Sequence, residues 1–393
     1  MEKNQYRKEP LKDNVEEMFI GPFGSSLKNE CFVDERNAYC MVYEQKHAIQ
    51  KTLAGKNRFV DRNKYQELKR FTVKPGDIIV SCRGTIGETF IIPENAPLGI
   101  MHPSIMKIRL KPNIYNIEYF NLLLKSRLEA YNKSANGSGV KMAISATELG
   151  KDLFPIPPMD EQQKISRIFF MVEHLMLLRK QQLAKLDELV KARFVEMFGD
   201  PVKNTMDWEI KPLSELGELN RGVSKARPRN SPELLGGPYP LIQTGEVANA
   251  KTYITSFNST YSEKGLAQSK MWPKGTLCIT IAANIAQTSI LTFDACFPDS
   301  VVGFISRNMT NELFIHYWFS FFQKILDEQA PQVAQKNINL KILSELNVIV
   351  PPLSLQNRFA AFVERVDQQK QTVQQSLEKL ELMKKALMQE YFG

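Results

Sequence analysis

The residues that could do covalent chemistry are scattered, and their spacing is incomplete. Gly245, Ala250, Lys251 and Thr252 approach a phosphate-binding loop, but alanine stands where the second glycine would let backbone N–H groups cradle phosphate. Asp61, Glu67 and Lys69 supply the residue types of a nuclease metal site without the strand pattern that should surround one. Amino-methyltransferases carry an Asn or Asp before a Pro-Pro pair; the pairs here follow Ile156 and Val350, which have no acceptor side chain. His47, His102, His174 and His316 form no H-x3-H pair, so no catalytic metal cluster is spelled. His174 falls on a helical pattern as a surface or seam residue. The five cysteines make an odd count with no C-x-x-C, which argues against a disulfide framework or a zinc site. The pattern points to binding and not to catalysis.

Binding chemistry is better represented. The net charge is +8, and eight Lys and Arg between residues 46 and 70 face only Asp61 and Glu67 within that run. Lys and Arg displace condensed counterions from a nucleic-acid backbone, so such a run suits phosphate contact. Lys51, Lys56, Arg58 and Arg62 are predicted to touch backbone in the first half, and Arg221, Lys225, Arg227 and Arg229 in the second. A solvated helix face is the alternative, and salt-sensitive duplex binding separates the two. Arg83 sits in a glycine-flanked loop after a strand, beside Thr85. An Arg can bond two acceptors of guanine at once. Asn284 and Gln287 occupy the matching loop further on, where amides suit adenine. Loops stabilised by their own polar groups are the competing explanation.

The elements that would position these residues occur twice. Residues 150–199 lie over 344–393 at a constant offset of 194, and Phe154-Pro-Ile-Pro-Pro-Met-Asp-Glu-Gln162 sits over Val348-Ile-Val-Pro-Pro-Leu-Ser-Leu-Gln356. Upstream, Arg83-Gly-Thr-Ile-Gly-Glu-Thr89 lies over Ala282-Ala-Asn-Ile-Ala-Gln-Thr288. An ordered series of matches means two copies of one unit. Each copy opens with strand-like runs such as Asp77-Ile-Ile-Val-Ser and Thr276-Leu-Cys-Ile-Thr. Helical patterns follow at Ile117–Tyr131 and Glu312–Glu328, and then a Pro-Pro pair and a long helix. Asp160 and Ser354 are predicted caps of those helices, and Gly199 before Pro201 a stop. The stripes 165, 172, 179, 186, 193 and 359, 366, 373, 380, 387 share one heptad frame, which reads as packing. The predicted fold class is α+β. Two globular α/β domains, 1–155 and 201–349, are each followed by a spacer helix, 156–200 and 350–393. The helices would pair as an antiparallel coiled coil, giving a pseudo-twofold dumbbell.

At 393 residues, 43% hydrophobic and 24% charged, the composition is globular. No run approaches 18 uninterrupted apolar residues, and the amino-terminal residues lack the apolar core of a signal peptide. A cytoplasmic protein without a membrane partner is expected.

Two variable regions, each followed by a similar helix introduced by Ile-Pro-Pro-x-x-x-Gln, resemble the DNA-specificity subunit of type I restriction–modification systems. Gly21-Pro-Phe-Gly-Ser-Ser-Leu27, Lys74-Pro-Gly-Asp-Ile78 and Arg83-Gly-Thr-Ile-Gly87 are similar to segments of that family's target-recognition domains. The family's Glu before the Gln is Glu161 in the first copy but Leu355 in the second, and the second copy lacks the Arg-Gly-Thr-Ile-Gly sequence. The resemblance implies that each recognition domain reads one half of a split, asymmetric target in double-stranded DNA, with the helices setting the gap. It implies no catalytic residue and no cofactor on this chain. Two modification subunits would bring S-adenosylmethionine chemistry, and restriction subunits ATP- and Mg-dependent translocation and cleavage. A free-standing methyltransferase or nuclease is the enzyme alternative, which binding of S-adenosylmethionine by the isolated chain would favour. A scaffold is the third.

Overall fold

A computed structural model of the chain describes residues 6–136, 145–282, 285–321 and 338–393, with the side chains of 132–136 left aside. The fold divides into two units, Met1–Leu178 with Leu377–Gly393, and Arg179–Ser376. Each unit joins one sheet-rich region to a segment of both long helices.

In the first unit an antiparallel sheet runs β2 (Val15–Ile20), β9 (Ile105–Leu110), β6 (Ile78–Ser81), β7 (Thr89–Ile91). A second sheet runs β4 (Phe59–Val60), β3 (Cys40–Tyr43), β8 (Gly99–Met101), β5 (Thr72–Val73), with β3 and β8 parallel. A separate ladder pairs β1 (Arg7–Pro10) with β10 (Leu153–Ile156). Strand β6 is Ile-Ile-Val-Ser and every residue is buried, as expected of β-branched residues in a sheet covered on both faces.

The second unit repeats this order strand for strand. One sheet runs β12 (Gly217–Arg221), β20 (Val301–Ser306), β17 (Leu277–Thr280), β18 (Thr288–Leu291), and β14 (Tyr253–Ile254) extends it. The other runs β15 (Ser259–Tyr261), β13 (Leu235–Leu241), β19 (Ala295–Cys296), β16 (Met271–Trp272), again with a parallel pair in the middle. The separate ladder is β11 (Glu209–Pro212) with β21 (Asn347–Val350). The duplication seen in the sequence is therefore a duplication of topology.

The long helices span Met159–Phe198 and Leu353–Phe392, 40 residues each. That corresponds to about 60 Å apiece at 1.5 Å per residue. Within each unit their segments run antiparallel. In the first, Phe169 meets Phe392 at 5.7 Å between ring centroids, and Glu173 pairs with Lys384 at 2.7 Å. In the second, Phe194 meets Phe359 at 5.4 Å, and Asp187 pairs with Lys370 at 2.7 Å. These apolar faces merge with the cores beneath the sheets: Ile165, Phe169 and Phe392 join Ile78, Met106 and Phe120, while Phe194, Phe198 and Phe359 join Leu277, Phe304 and Phe314.

The heptad frame holds in part. Ile165 and Val172 are buried, but Arg179 is only half-buried, and Val190 and Phe194 take over the buried face further along. A straight helix drifts about 20° per heptad, which moves the seam onto neighbouring positions. Gly199 stops the first helix with φ +76° as predicted; a Cβ there would sit 2.5 Å from Thr205 Oγ1. The starts differ from expectation. The helices begin at Met159 and Leu353, one residue before Asp160 and Ser354, because the prolines' carbonyls take the first helical N–H groups: Pro158 O accepts from Glu161 and Gln162, and Pro352 O from Leu355 and Gln356. Asp160 thus lies inside the first turn, where its charge favours the positive end of the helix.

The helix predicted over Ile117–Tyr131 runs Ile117–Asn136. Its counterpart is helical over Glu312–Phe319, and residues 322–328 of that prediction lie outside the described residues.

Candidate nucleic-acid interface

Strand register brings three loops of the first unit to one sheet edge. Ile20 pairs with Met106 and Ser81 with Ile105, so the loops after β2, after β6 and before β9 emerge together. Gly21 N donates to Ile105 O at 2.9 Å and Cys82 N to Ser104 O at 2.9 Å. Gly21 has to be glycine: a Cβ would lie 2.2 Å from His102 O. The loop after β6 is pinned at its base by Ser81, whose carbonyl accepts from Gly87 N and whose Oγ accepts from Glu88 N, both at 2.9 Å. Gly84 and Gly87 take positive φ, which frees the chain to turn while Arg83 and Thr85 stay exposed. Neither side chain has a partner among the described residues. Phe23, at the tip of the neighbouring loop, is 86% exposed.

The second unit builds the same edge. Gly222 N donates to Val301 O at 2.8 Å and Ile281 N to Ser300 O at 3.0 Å. Thr280 repeats the part of Ser81, its carbonyl accepting from Ala286 N at 2.8 Å and its Oγ1 from Gln287 N at 3.1 Å. Ala286 holds φ +59° where the first copy has Gly87. The bonds that pin the loop's base are thus kept although the Arg-Gly-Thr-Ile-Gly sequence is gone. Gln287 is exposed on it, and Asn284 lies outside the described residues.

The predicted phosphate contacts sit on both units' surfaces, but they are not short of acids as their sequence neighbourhoods suggest. Lys51 bonds Glu88 at 2.6 Å and Thr89 O at 2.7 Å; Arg58 pairs with Glu44 at 2.9 Å. Arg229 pairs with Asp299 at 2.6 Å, Arg227 lies 3.9 Å from the same carboxylate, and Arg221 Nε donates to Asp299 O at 3.0 Å. Glu44, Glu88 and Asp299 lie outside the basic runs and arrive through the fold. Lys56, Arg62 and Lys225 are exposed and make no ion pair among the described residues, and the Arg62 guanidinium lies 5.8 Å from the Tyr39 ring centre.

Sequence reading missed Glu44, Asp299 and His102 at these edges. His102 N donates to Tyr43 O at 2.9 Å, and its Nδ1 lies 2.7 Å from Ser104 Oγ. Burial lowers its pKa first, and Arg58 and Arg83 lower it further against the opposing pull of Glu44. It therefore stands among the cationic side chains of the edge. A signal for it existed: Gly21 and His102 pack against each other, but 81 residues apart.

The residues that imitated catalytic motifs serve the fold. Thr244–Asn249 is a short helix closed by a reciprocal cap between Gln243 and Glu246, so Gly245 lies within a helix and not in a phosphate loop. Asp61 caps Arg62–Glu67 by accepting from Lys64 N at 2.7 Å, and Glu67 pairs with Lys64. His316 is half-buried with Thr288 Oγ1 2.9 Å away, and desolvation pushes its pKa down to about 4. His174 stacks on Phe170 at the helix surface.

The Gln of each Pro-Pro motif proves to be a clamp. Gln162, 1% exposed, donates to Ile114 O and Pro157 O and accepts from Asn116 N. Gln356, fully buried, donates to Met309 O and Pro351 O and accepts from Asn311 N and Thr310 Oγ1. Asn116 and Asn311 in turn bond the first turns of the helices that follow them.

This doubled architecture coincides with a described family. The type I restriction modification DNA specificity domain matches twice, over residues 33–188 and 205–382. The chain belongs to that family and is a DNA specificity subunit of the type I restriction–modification class. It is 22% identical over 350 residues to the protein of Methanocaldococcus jannaschii named as the MjaX specificity subunit, covering 84% of this chain and 80% of the relative. It is 23% identical over 328 residues to the EcoBI specificity subunit of Escherichia coli, covering 75% and 68%. Among solved structures, a chain from a study of type I R-M complex assembly and conformational transition superposes with TM-score 0.63 at 16% identity, covering 98% and 97%. The S subunit of M. genitalium superposes with TM-score 0.56 at 15% identity, covering 100% and 98%. The last two likenesses establish the fold.

Proposed function

We propose that each unit reads one half of a bipartite, asymmetric DNA target through its edge loops, and that the paired long helices act as a coiled-coil spacer fixing the gap. The observation that carries this is the duplicated edge: the same pinned loop after β6 and β17, with Arg83 and Thr85 on one and Gln287 on the other. Asn284 is assigned to the second reading loop with it. Base edges are distinguishable in the major groove, so unlike side chains on like loops read unlike half-sites.

Lys51, Lys56 and Arg62 serve as phosphate anchors in the first half, and Arg221, Lys225, Arg227 and Arg229 in the second. The ion pairs of Lys51 and Arg229 are exposed and worth about 0–1 kcal/mol, so a phosphate displaces the carboxylate at little cost. The chain itself is not catalytic in this reading. Two modification subunits supply S-adenosylmethionine chemistry and restriction subunits the ATP- and Mg-dependent steps, all in the cytoplasm. Among the described residues no helix is long and apolar enough to cross a membrane.

Neutralising Lys51, Lys56 and Arg62 together tests the anchoring. Affinity should fall alike for all duplexes, and the salt slope should flatten by roughly three, about one per lost contact. An unchanged slope would make these residues ordinary surface.

A further inference from the structure

We infer that Arg58 reads a guanine in the first half-site and that Glu44 is the positioning residue that aims it; the inference rests on the recognition reading above. By sequence Arg58 grouped with the phosphate anchors, but its surroundings differ from theirs. Its Nη2 lies 2.9 Å from Glu44 Oε1, and its Cζ lies 4.7 Å from the centre of the Phe32 ring. Glu44 is 6% exposed, whereas the Arg58 side chain is 44% exposed. The carboxylate is itself fixed: it accepts from the first turn of Gln45–Gln50 and pairs with Lys46 at 3.1 Å. One nitrogen and one face of the guanidinium are thus held, and the other donors are left for a ligand.

A phosphate contact asks only for charge and tolerates a swinging side chain. Bidentate bonding to guanine O6 and N7 asks for a plane held at a set angle. The partners of Lys51 and Arg229 give no such hold, since Glu88 and Asp299 are themselves 43% and 39% exposed. Arg58 also belongs to the reading edge: its partner Glu44 follows Tyr43, whose carbonyl accepts from His102 N, and His102 packs against Gly21.

The duplication supplies a control. The position of Glu44 is taken in the second copy by Gln243, which caps Thr244–Asn249 in the same reciprocal way. The neighbouring contact repeats too: His47 lies 2.9 Å from Asn57 Oδ1, and Glu246 accepts from Asn258 at 3.0 Å. The cap therefore needs an oxygen here and not a charge. The charge of Glu44 serves its cations.

The test is target selection from a randomised duplex library by the full chain in its assembled complex, comparing Arg58→Lys, Arg58→Ala and Glu44→Gln with the natural chain. Glu44→Gln keeps the cap and Arg58→Lys keeps the charge, and thermal melting checks that each folds. Each variant should lose about tenfold or more in discrimination for guanine at one shared position of one half-site, with the other half-site unchanged. Arg58→Lys should also keep the natural salt slope. If Arg58→Lys retains the full target and Arg58→Ala weakens all duplexes alike, Arg58 is a phosphate contact and the inference is overturned. A natural complex that selects no sequence would instead defeat the recognition reading, and the inference with it.

Discussion

Ser81 and Thr280 do at the residue scale what the two copies have in common, and Arg83 and Gln287 do what sets them apart. Each hydroxyl accepts from the backbone N–H seven residues on, which fixes the loop without using the exposed side chains. Those side chains are then free to vary without changing the fold. In the proposed reading, Arg83 carries recognition and little stability. Arg83→Ala should cost about 1–3 kcal/mol of discrimination at one position of one half-site, measured by competition between targets differing at that base. Stability should change by less than about 0.5 kcal/mol, since the residue is exposed and has no partner among the described residues. A uniform loss across all targets would remove Arg83 from base reading. The basic residues around it were legible as cations, but their pairing was not. Glu44, Glu88 and Asp299 reach Arg58, Lys51 and Arg229 only after the strands have paired.

The doubled helix start is the element whose meaning changed most between sequence and structure. Pro-Pro-x-x-x-Gln reads as punctuation before a helix, and the helix did form there. The Gln, however, holds three backbone segments together: the proline turn, the loop before Asn116 or Asn311, and the long helix itself. Gln162→Leu or Gln356→Leu would strand buried carbonyls and an N–H group, at about 1–3 kcal/mol. Denaturant unfolding should show that loss in either variant, while target preference in the surviving fold stays the same. No loss in either would make the clamp incidental. The strand runs, the glycine stop and the repeat were legible because their signals are local. The strand order was not, because its parallel pairs β3–β8 and β13–β19 join segments more than 50 residues apart. The heptad stripe was half legible, since the real seam follows a 3.6-residue period.

At the scale of the whole molecule, two copies of one topology carry unlike loops, so the account requires two unlike half-sites at a fixed distance. If the helices set that distance, one heptad added after both Leu186 and Leu380 should lengthen the spacer by roughly 10 Å. The preferred gap should then grow by about three base pairs at 3.4 Å per step, with the half-site sequences unchanged. An unchanged gap in a folded, binding variant would show that something else is the ruler. The most direct measurement is the mapping of methylated adenines in DNA from cells with and without this chain. The account predicts that methylation dependent on the chain falls at a single bipartite motif of two different half-sites separated by a constant, unspecified gap. Methylation at a perfect palindrome, at a contiguous motif, or independent of the chain would contradict it.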